Sequence, residues 1–279
     1  MTTSVPLKWH GGKYYLADRI IGLMPPHIHY VEPYFGGGQV LFRKSCKGVS
    51  EVVNDINGDL MNFWNVLGDD CTFQEMVHTL ERMPFSEPLY EFSVKLLEER
   101  TADPVDLAVA FFVKYRQSRQ GLGKCFATLS RNRLRRGFNE QVSAWQGAIE
   151  GLPDAHRRLR QVVVLNRDAI EVIRQQDGPN TLFYLDPPYL HETRTATDAY
   201  KFEMTREDHL ELLRVLKHVK GQFILSGYPS ILYDGVAKLS GWSRIETKID
   251  NKASSAKTKQ MKTECLWMNF VPGDHNDTT

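Results

Sequence analysis

The apolar residues of this 279-residue chain form short runs that alternate with longer segments, in which apolar positions recur roughly every three or four residues. Short runs bounded by turn-forming residues are typical of buried strands, and the longer spacing is typical of amphipathic helices. The runs predict strands at residues 28–31, 51–53, 162–165, 182–185, 222–225, 243–249 and 265–270. Strands that alternate with helices predict an α/β fold built on a doubly wound, mostly parallel sheet.

Two departures from this alternation refine the predicted fold. The last two strands have no helical segment between them, so we expect an antiparallel hairpin at the edge of the sheet or within it. Between the second and third strands lie about a hundred residues, far more than a crossover connection needs. Helical stripes in this interval can form a small core: Phe73, Met76, Val77, Leu80, Leu107, Phe111, Phe112 and Tyr115. We therefore predict one domain at residues 1–70 and 160–279, and an inserted, mainly helical domain at residues 71–159.

A first candidate site is the segment Asp186-Pro187-Pro188-Tyr189, which directly follows the apolar run 181–185. The adjacent prolines fix φ near −65° and restrict the residue before each of them, so the end of the strand is held in one extended conformation. Asp186 supplies a carboxylate and Pro187 a backbone carbonyl, acceptors that suit the hydrogens of an exocyclic amine on a base. Tyr189 supplies a flat face on which such a base could stack. The alternative is a Pro-Pro turn with an incidental Asp.

A second candidate site is the glycine-rich segment that follows the first strand, at residues 30–40. Glycines let backbone amides approach a ligand closely, as a nucleoside cofactor requires, but their spacing does not fit the dinucleotide fingerprint and disfavours nicotinamide or flavin. Asp55 ends the second strand, 17 residues after Gly38, close to the spacing of ~20 at which an acidic side chain binds ribose hydroxyls. Alternatively, Asp55 caps the next helix, a role that Asn57 could take equally well.

Near the start of the chain, Trp9 and Lys13 bracket two glycines that precede a helical segment. Lys13 could neutralise a carboxylate on a cofactor, and Trp9 could form one wall of its pocket. A Trp is more often a core residue and a Lys more often solvated, so both interpretations stay open at this point.

Four segments, in this order, resemble the DNA adenine methyltransferases of the Dam-like, D12 class. They are Lys-Trp-His-Gly-Gly-Lys at 8–13, Tyr-Val-Glu-Pro-Tyr-Phe-Gly-Gly-Gly-Gln-Val at 30–40, Val-Val-Asn-Asp-Ile-Asn at 52–57, and the tetrapeptide at 186–189. The resemblance implies a Rossmann-like methyltransferase fold that uses S-adenosylmethionine to methylate the N6 amine of an adenine flipped out of double-stranded DNA. It also implies that the main domain is catalytic and that the insertion recognises the target.

The resemblance implies roles for individual residues as well. Catalytic roles fall on Asp186, Pro187 and Tyr189. Cofactor contacts fall on Trp9, Lys13, Glu32, Pro33, Phe35, Gly36, Gly38, Asp55 and Asp186. We expect residues 226–228, at the end of the next strand, to line the pocket of the flipped base. The chain departs from the family pattern at His10, Gly37 and Gln39, and none of these departures removes a group that the chemistry requires.

The charge of the chain is balanced overall, with 35 Lys and Arg against 34 Asp and Glu, but it is unevenly distributed. The interval between Asp106 and Glu140 has no acidic residue, and its cations therefore lack counterions in sequence. This predicts a loop or hairpin that binds DNA phosphates and places one or two guanidinium groups on guanine edges. The predicted DNA contacts are Arg116, Arg119, Lys124, Arg131, Arg133, Arg135, Arg136 and, in a later polar segment, Arg194. The alternative is a solvated basic surface. Residues 252–262 form a smaller basic stretch that we expect to be a loop.

Composition sets further expectations. Four scattered cysteines without a CxxC pair argue against a zinc site and a disulfide framework, so we expect no metal. No apolar run approaches the ~18 residues of a membrane span, and the first residues lack signal-peptide character. We therefore expect a cytoplasmic protein without a membrane partner, acting at the nucleoid of a bacterial or phage-infected cell. We expect a monomer in solution, with association on DNA left open.

Alternative functions remain open at this stage. They are an amino-methyltransferase acting on cytosine N4 or on RNA adenine, and a catalytically idle DNA-binding regulator of the same fold. Asp186 favours adenine, because related cytosine enzymes more often begin the tetrapeptide with Ser or Asn. Intact Trp9, Lys13, Asp55 and Asp186 argue against an idle protein. An active enzyme would serve in restriction-modification or act alone.

Overall fold

The computed structural model of the chain describes residues 5–9, 11–128, 130–194, 202–250 and 261–273. The chain clusters into two compact units. The first unit comprises Met1–Asp18, Gly36–Ser45 and Asn57–Asn166, and the second comprises Arg19–Phe35, Cys46–Ile56 and Arg167–Thr279. The predicted division into a main domain and an inserted recognition domain stays a prediction.

The main sheet confirms the predicted α/β class. The strands of the described residues are β1 (His29–Glu32), β2 (Ser50–Asn54), β3 (Leu134–Arg135), β4 (Phe138–Asn139), β5 (Val162–Leu165), β6 (Thr181–Leu185), β7 (Gln222–Gly227), β8 (Ser243–Asp250) and β9 (Met261–Met268). Seven of them belong to the main sheet; six lie in the second unit, in the order β2-β1-β6-β7-β9-β8, and β5 lies in the first.

The pairing of the strands confirms both the mostly parallel sheet and the terminal hairpin. Strand β1 is parallel to β2 and β6, and β6 is parallel to β7. Strand β9 is antiparallel to both β7 and β8, so the hairpin inserts its second strand into the sheet and leaves β8 at the edge.

Strand β6 lies at the centre of the second unit, between β1 and β7, and all five of its residues are buried. A strand covered on both faces needs apolar residues on both, which explains the uninterrupted apolar run in the sequence. Because β2, β1, β6 and β7 run in the same direction, their carboxyl ends lie along one side of the sheet. We call this side the carboxyl edge; its strands end at Asn54, Glu32, Leu185 and Gly227.

The first unit is mainly helical. The helices of the described chain are α1 (Ala17–Gly22), α2 (Gly58–Gly68), α3 (Asp70–Glu81), α4 (Glu87–Glu99), α5 (Pro104–Arg116), α6 (Glu140–Glu150), α7 (Leu152–Leu159), α8 (Ala169–Gln176), α9 (Arg206–Leu216) and α10 (Ile231–Ser240). Helix α5 packs against α2, α3 and α4. The predicted stripes supply this core: Phe73, Met76, Leu80, Phe111 and Phe112 are buried, and Val77, Leu107 and Tyr115 are half-buried.

The predicted boundaries of the last strand, 265–270, are wrong at both ends. Strand β9 ends at Met268, and the next residue, Asn269, binds the chain before and within β7 through its side chain: its Nδ2 donates to the Gly221 carbonyl at 2.9 Å, and its Oδ1 accepts from the Phe223 amide at 3.0 Å. The strand also begins earlier than predicted, where the polar residues Thr263 and Glu264 pair with β8.

No helix within the described ranges is long and apolar enough to cross a membrane. Those ranges also contain no group of three or more His, Cys, Asp or Glu side chains placed to hold a metal ion. The cysteines are free thiols, and Cys265 is buried in β9.

Candidate active site

The carboxyl edge of the second unit carries predicted site residues from several strands. Glu32 ends β1, Asp55 follows β2, and Asp186 follows β6. Open α/β sheets bind ligands at this side, because loops that diverge from neighbouring strand ends leave a crevice there. The structure therefore places Glu32, Asp55 and Asp186 at the carboxyl ends of neighbouring strands, and their roles stay predictions.

Asp186 is half-buried, and the Tyr189 phenol lies beside it, with 3.1 Å between Tyr189 Oη and Asp186 Oδ1. The phenol also donates to the carboxylate of Glu264 on β9. Burial raises the pKa of Tyr189 well above its usual value, and the negative charges of Asp186 and Glu264 raise it further. The phenol therefore stays protonated near neutral pH and acts as a hydrogen-bond donor to a carboxylate.

The ring of Tyr189 is only 7% exposed and meets the half-buried ring of Tyr228 edge-on, with centroids 4.7 Å apart. Tyr228 directly follows β7 and so lies beside the tetrapeptide, while the predicted pocket lining by residues 226–228 stays a prediction. Pro187 is buried. The stacking role of Tyr189 stays a prediction.

Two buried side chains shape the turn after β1. Glu32 is 2% exposed and accepts a hydrogen bond from the Tyr30 phenol at 2.8 Å. Asn54, which the sequence did not single out, donates from Nδ2 to the Pro33 carbonyl at 3.0 Å, and its own backbone carbonyl accepts from the Phe35 amide at 2.8 Å. Phe35 itself is buried. These bonds fix the path of the chain where it enters the glycine-rich segment.

Asp55 does not cap the helix that follows it. The cap is Asn57, whose Oδ1 accepts from the amides of Asp59 at 3.2 Å and Leu60 at 3.4 Å. The alternative interpretation of Asp55 is therefore wrong, and its half-buried carboxylate at the carboxyl edge remains a candidate for a ligand contact.

In the first unit, the glycine-rich segment packs against Trp9. Gly36 and Gly38 have φ of +51° and +69°, a left-handed conformation that favours glycine. A Cβ on Gly36 would lie 2.9 Å from Trp9 Nε1, and one on Gly37 would lie 2.7 Å from Trp9 Cβ. The second glycine, a departure from the family pattern, is thus explained by close approach of the indole. Trp64 Nε1 donates to the Gly36 carbonyl at 3.1 Å and holds the turn from the other side.

Lys13 is also buried in the first unit, at 8% exposure, and its ammonium donates to the Gly11 carbonyl at 3.0 Å. Gly12 lies beside Gln39: a Cβ added to this glycine would be 3.3 Å from Gln39 Cγ. Gln39 Oε1 is buried and has no hydrogen-bond partner within the described residues. The glycine-containing segment at residues 8–13 thus carries a buried cation, Lys13. The segment at residues 30–40 carries an unsatisfied acceptor, Gln39 Oε1. His10, the remaining departure, lies outside the described residues.

The predicted basic hairpin is present in the first unit. Strands β3 and β4 pair through a turn at Arg136 and Gly137 whose φ values are +56° and +85°, as in the tight turns that suit hairpins. Arg131, Arg133, Arg135 and Arg136 are exposed, as are Arg119 and Lys124 in the preceding segment.

The expectation that these cations lack counterions is wrong for two of them. Arg136 pairs with Glu150 at 2.8 Å, and Arg133 lies 3.7 Å from Glu140. Both acids belong to α6, which follows the hairpin in sequence and returns beside it. The absence of acidic residues between Asp106 and Glu140 in the sequence therefore did not predict which arginines pair with acids in the folded chain.

Two further predicted DNA contacts have internal partners. Arg116 donates to the backbone carbonyls of Pro6 at 2.5 Å and Val5 at 3.0 Å, and burial lowers its pKa to about 10. In the second unit, Arg194 bonds Glu203 through both terminal nitrogens, at 3.1 and 2.5 Å. The basic stretch at 252–262 lies almost wholly outside the described residues, and so do residues 195–199 of the polar segment.

Comparison with known proteins gives matches to DNA methyltransferases. The sequence model of the family described as D12 class N6 adenine-specific DNA methyltransferase matches residues 9–251. The type II methyltransferase M1.LlaDCHI of Lactococcus lactis subsp. cremoris is 26% identical, over 94% of each chain. The type II methyltransferase M.MjaIII of Methanocaldococcus jannaschii is 25% identical, over 75% of this chain and 77% of its own. The DNA adenine methylase of Escherichia coli (strain K12) is 26% identical, over 73% of each chain.

The family match extends from Trp9 through the glycine-rich segment and Asp186 to the end of β8, and so includes every element of the carboxyl edge. It covers far more than half of the chain. The chain therefore belongs to the D12 class of N6 adenine-specific DNA methyltransferases.

Proposed function

We propose that this protein transfers a methyl group from S-adenosylmethionine to the N6 amine of an adenine flipped out of double-stranded DNA. The observation that carries the proposal is the position of Asp186: it follows β6 at the carboxyl edge of the sheet, directly before Pro187 in sequence, and its carboxylate lies within hydrogen-bond reach of the Tyr189 phenol. Family membership gives the class of reaction, and the position of Asp186 supports its assignment as the group that binds the target amine.

The residues present fit S-adenosylmethionine. The cofactor has a carboxylate, an ammonium group and a ribose diol, and it supplies a methyl group activated on a sulfonium sulfur. Lys13 suits the carboxylate, the unsatisfied Gln39 Oε1 suits an N–H donor, and Asp55 suits the ribose hydroxyls. The close approach of Trp9 to Gly36 and Gly37 leaves no room for a side chain on those glycines. The remaining proposed contacts are Glu32, Pro33, Phe35 and Gly38.

Asp186 and the Pro187 carbonyl are proposed to hold the target amine. An exocyclic adenine amine is a poor nucleophile, because its lone pair is delocalised into the ring. Two hydrogen bonds accepted by the protein orient the N–H groups and favour the pyramidal nitrogen that develops during attack. No strong base is needed beforehand, since the amine becomes acidic only as the new bond forms.

The amine of a paired adenine is inaccessible inside the duplex, so the base must leave the stack, at a cost of a few kcal/mol. We propose that the extruded base lies against the Tyr189–Tyr228 pair, whose rings meet at the carboxyl edge. Because Tyr189 is largely buried, the half-buried ring of Tyr228 is the more accessible of the two faces.

The insertion at residues 71–159 is proposed to recognise the DNA, with the β3–β4 hairpin as its contact surface. Arg131 and Arg135 are exposed, and neither has an acidic partner within the described ranges. Arg116 is assigned a structural role instead, since its guanidinium binds the backbone of the segment before Trp9. Arg119, Lys124, Arg133 and Arg136 are proposed as further phosphate contacts, with Glu140 and Glu150 competing for the last two.

The hairpin can be tested through the salt dependence of DNA binding. Replacing Arg131 and Arg135 together with Ala should lower the magnitude of the slope of log affinity against log salt by roughly 1.8, since each neutralised phosphate contributes about 0.9. Affinity measured by fluorescence anisotropy at several salt concentrations gives the slope. The matched control replaces Arg174 and Arg214, two exposed arginines that pair with Glu211 on α9, and should leave it unchanged. An unaltered slope in the hairpin variant would show that recognition lies elsewhere.

A single assay decides between the proposed function and its alternatives. Purified protein is incubated with labelled S-adenosylmethionine and mixed-sequence duplex DNA, single-stranded RNA or no nucleic acid, and the modified nucleosides are identified by mass spectrometry. We expect N6-methyladenine in duplex DNA alone. N4-methylcytosine, methylated RNA or an absence of transfer would each support one of the alternatives instead.

A further inference from the structure

The proposed catalytic carboxylate is connected to a second, buried carboxylate that the sequence did not identify. Glu264 is 4% exposed, lies on β9 and accepts a hydrogen bond from the Tyr189 phenol. The same phenol oxygen is 3.1 Å from Asp186 Oδ1. Asp186, Tyr189 and Glu264 thus form one continuous chain of contacts, which we call the carboxylate chain.

The topology of the terminal hairpin brings Glu264 to this position. Because β9 is antiparallel to β7, the early residues of β9 lie beside the late residues of β7, at the carboxyl edge. Cys265 pairs with Gly227, the last residue of β7, and Glu264 precedes it in the strand. Successive residues of a strand point to opposite faces, so Glu264 and Cys265 contact different layers.

A buried carboxylate at position 264 is energetically unfavourable if the side chain only has to fill space in the core. The residues that follow it in β9, from Cys265 to Met268, are buried and apolar. A buried carboxylate costs free energy unless it is hydrogen-bonded or paired, whereas an apolar side chain would fill the same volume without that cost. The hydrogen bond from Tyr189 offsets part of that cost.

The phenol constrains the two carboxylates jointly. It has a single O–H donor, which can point to one carboxylate at a time, while its oxygen stays within reach of both. Burial and the two negative charges keep it protonated, because they raise the pKa of Tyr189 well above its usual value. The position of the phenol oxygen next to Asp186 therefore depends on the acceptor on β9.

We propose that Glu264 is a positioning residue for methyl transfer: it holds the Tyr189 phenol oxygen within hydrogen-bond reach of Asp186, and this oxygen in turn limits where the Asp186 carboxylate can lie relative to the target amine. This inference rests on the proposed role of Asp186. It adds a residue whose proposed effect on the rate is transmitted through Tyr189. Misplacement of a reacting group by about 1 Å can lower a rate by up to roughly 100-fold, which sets the size of the expected effect.

The test replaces Glu264 with Leu, which removes the acceptor while keeping a similar volume, and with Gln, whose amide oxygen can still accept from the phenol. The matched control is Glu51→Gln, at a carboxylate on β2 that is 2% exposed and not part of the carboxylate chain. Single-turnover methylation of duplex DNA is measured together with the dissociation constants of S-adenosylhomocysteine and DNA. If Glu264→Leu does not fold, Glu264→Met takes its place.

We expect Glu264→Leu to lower the single-turnover rate by roughly 10- to 100-fold, with both dissociation constants within about threefold of wild type. Glu264→Gln should recover most of the rate, and Glu51→Gln should match wild type. A Gln variant as slow as the Leu variant, or a Leu variant whose loss lies in binding, would overturn the positioning role.

A double-mutant cycle with Tyr189→Phe shows whether Glu264 acts through the phenol. If it does, adding Glu264→Leu to Tyr189→Phe should cause no further loss of rate, because the connection is already broken. Losses that multiply would refute the inference. Failure of the proposed function is distinguishable: the wild-type protein would then not methylate adenine in duplex DNA, or Asp186→Ala would methylate it as fast as wild type. Failure of this inference alone leaves the wild type active and Asp186→Ala strongly impaired, while the Glu264 variants depart from the expected pattern.

Discussion

Asp186→Ala should lower the single-turnover rate of adenine methylation by roughly 100- to 1,000-fold, the loss expected when a preorganised polar contact to the reacting group is removed. The carboxylate is proposed to bind the target amine, and that interaction strengthens as the nitrogen becomes pyramidal and acidic in the transition state. An interaction made chiefly in the transition state affects the rate more than it affects binding. S-adenosylhomocysteine should therefore bind the variant with a dissociation constant within about threefold of wild type.

The measurement pairs a single-turnover assay with isothermal titration calorimetry. Asp186→Asn separates the effect of side-chain shape from that of charge, because the amide keeps one acceptor oxygen but is neutral. This variant should retain slightly more activity than Asp186→Ala. Glu207→Ala, at an exposed acid in the first turn of α9, removes the same charge and should behave as wild type. If calorimetry instead shows that Asp186→Ala no longer binds S-adenosylhomocysteine, the carboxylate belongs to the cofactor site rather than to the amine.

Asp186 could be placed from sequence because its determinants are local. The apolar run of β6 predicts a buried central strand, and two prolines directly after it end the strand at a defined point. The glycine-rich turn after β1 is local in the same sense, since its left-handed residues require glycine whatever surrounds them. Both features were therefore predicted with the correct element and the correct end of the strand.

Glu264 could not be placed in this way, because its contact with Tyr189 spans 75 residues of sequence. The sequence does show a lone acidic residue before four apolar residues. Glu264 was nevertheless missed, because the strand was predicted to begin at residue 265. Asn54 was missed for a related reason. Its side chain connects the turn at Pro33 to the Arg167 carbonyl, 113 residues away, at 3.0 Å.

The basic segment shows a different limit of sequence reasoning. Charge density along the chain correctly indicated a cationic hairpin, but the pairing of Arg133 and Arg136 with acids of α6 depends on how that helix returns. Exposed pairs of this kind contribute little to stability, with a typical value of about 0–1 kcal/mol. DNA phosphates can therefore replace Glu140 and Glu150 at small cost, and the hairpin keeps its proposed role with a weaker dependence on these two arginines.

Asp55→Ala should weaken S-adenosylmethionine and S-adenosylhomocysteine equally, because a ribose contact does not involve the transferred methyl group. Loss of hydrogen bonds to a charged acceptor costs about 2–3 kcal/mol, which corresponds to a roughly 30- to 150-fold rise in the dissociation constant. Calorimetry with both ligands gives the two affinities. At saturating cofactor, the methylation rate should return to within about threefold of wild type, since the contact is the same in the ground and transition states.

Asn57→Ala is the matched control, because Asn57 caps α2 and lies two positions further along the chain. Loss of the cap should lower the free energy of unfolding by about 1 kcal/mol and leave cofactor affinity unchanged. Asp55→Ala should show the opposite pattern, a large change in affinity with little change in melting temperature in the absence of ligand. If both variants only lower the melting temperature, Asp55 supports the turn after β2 and the ribose contact has to be sought among other residues of the carboxyl edge.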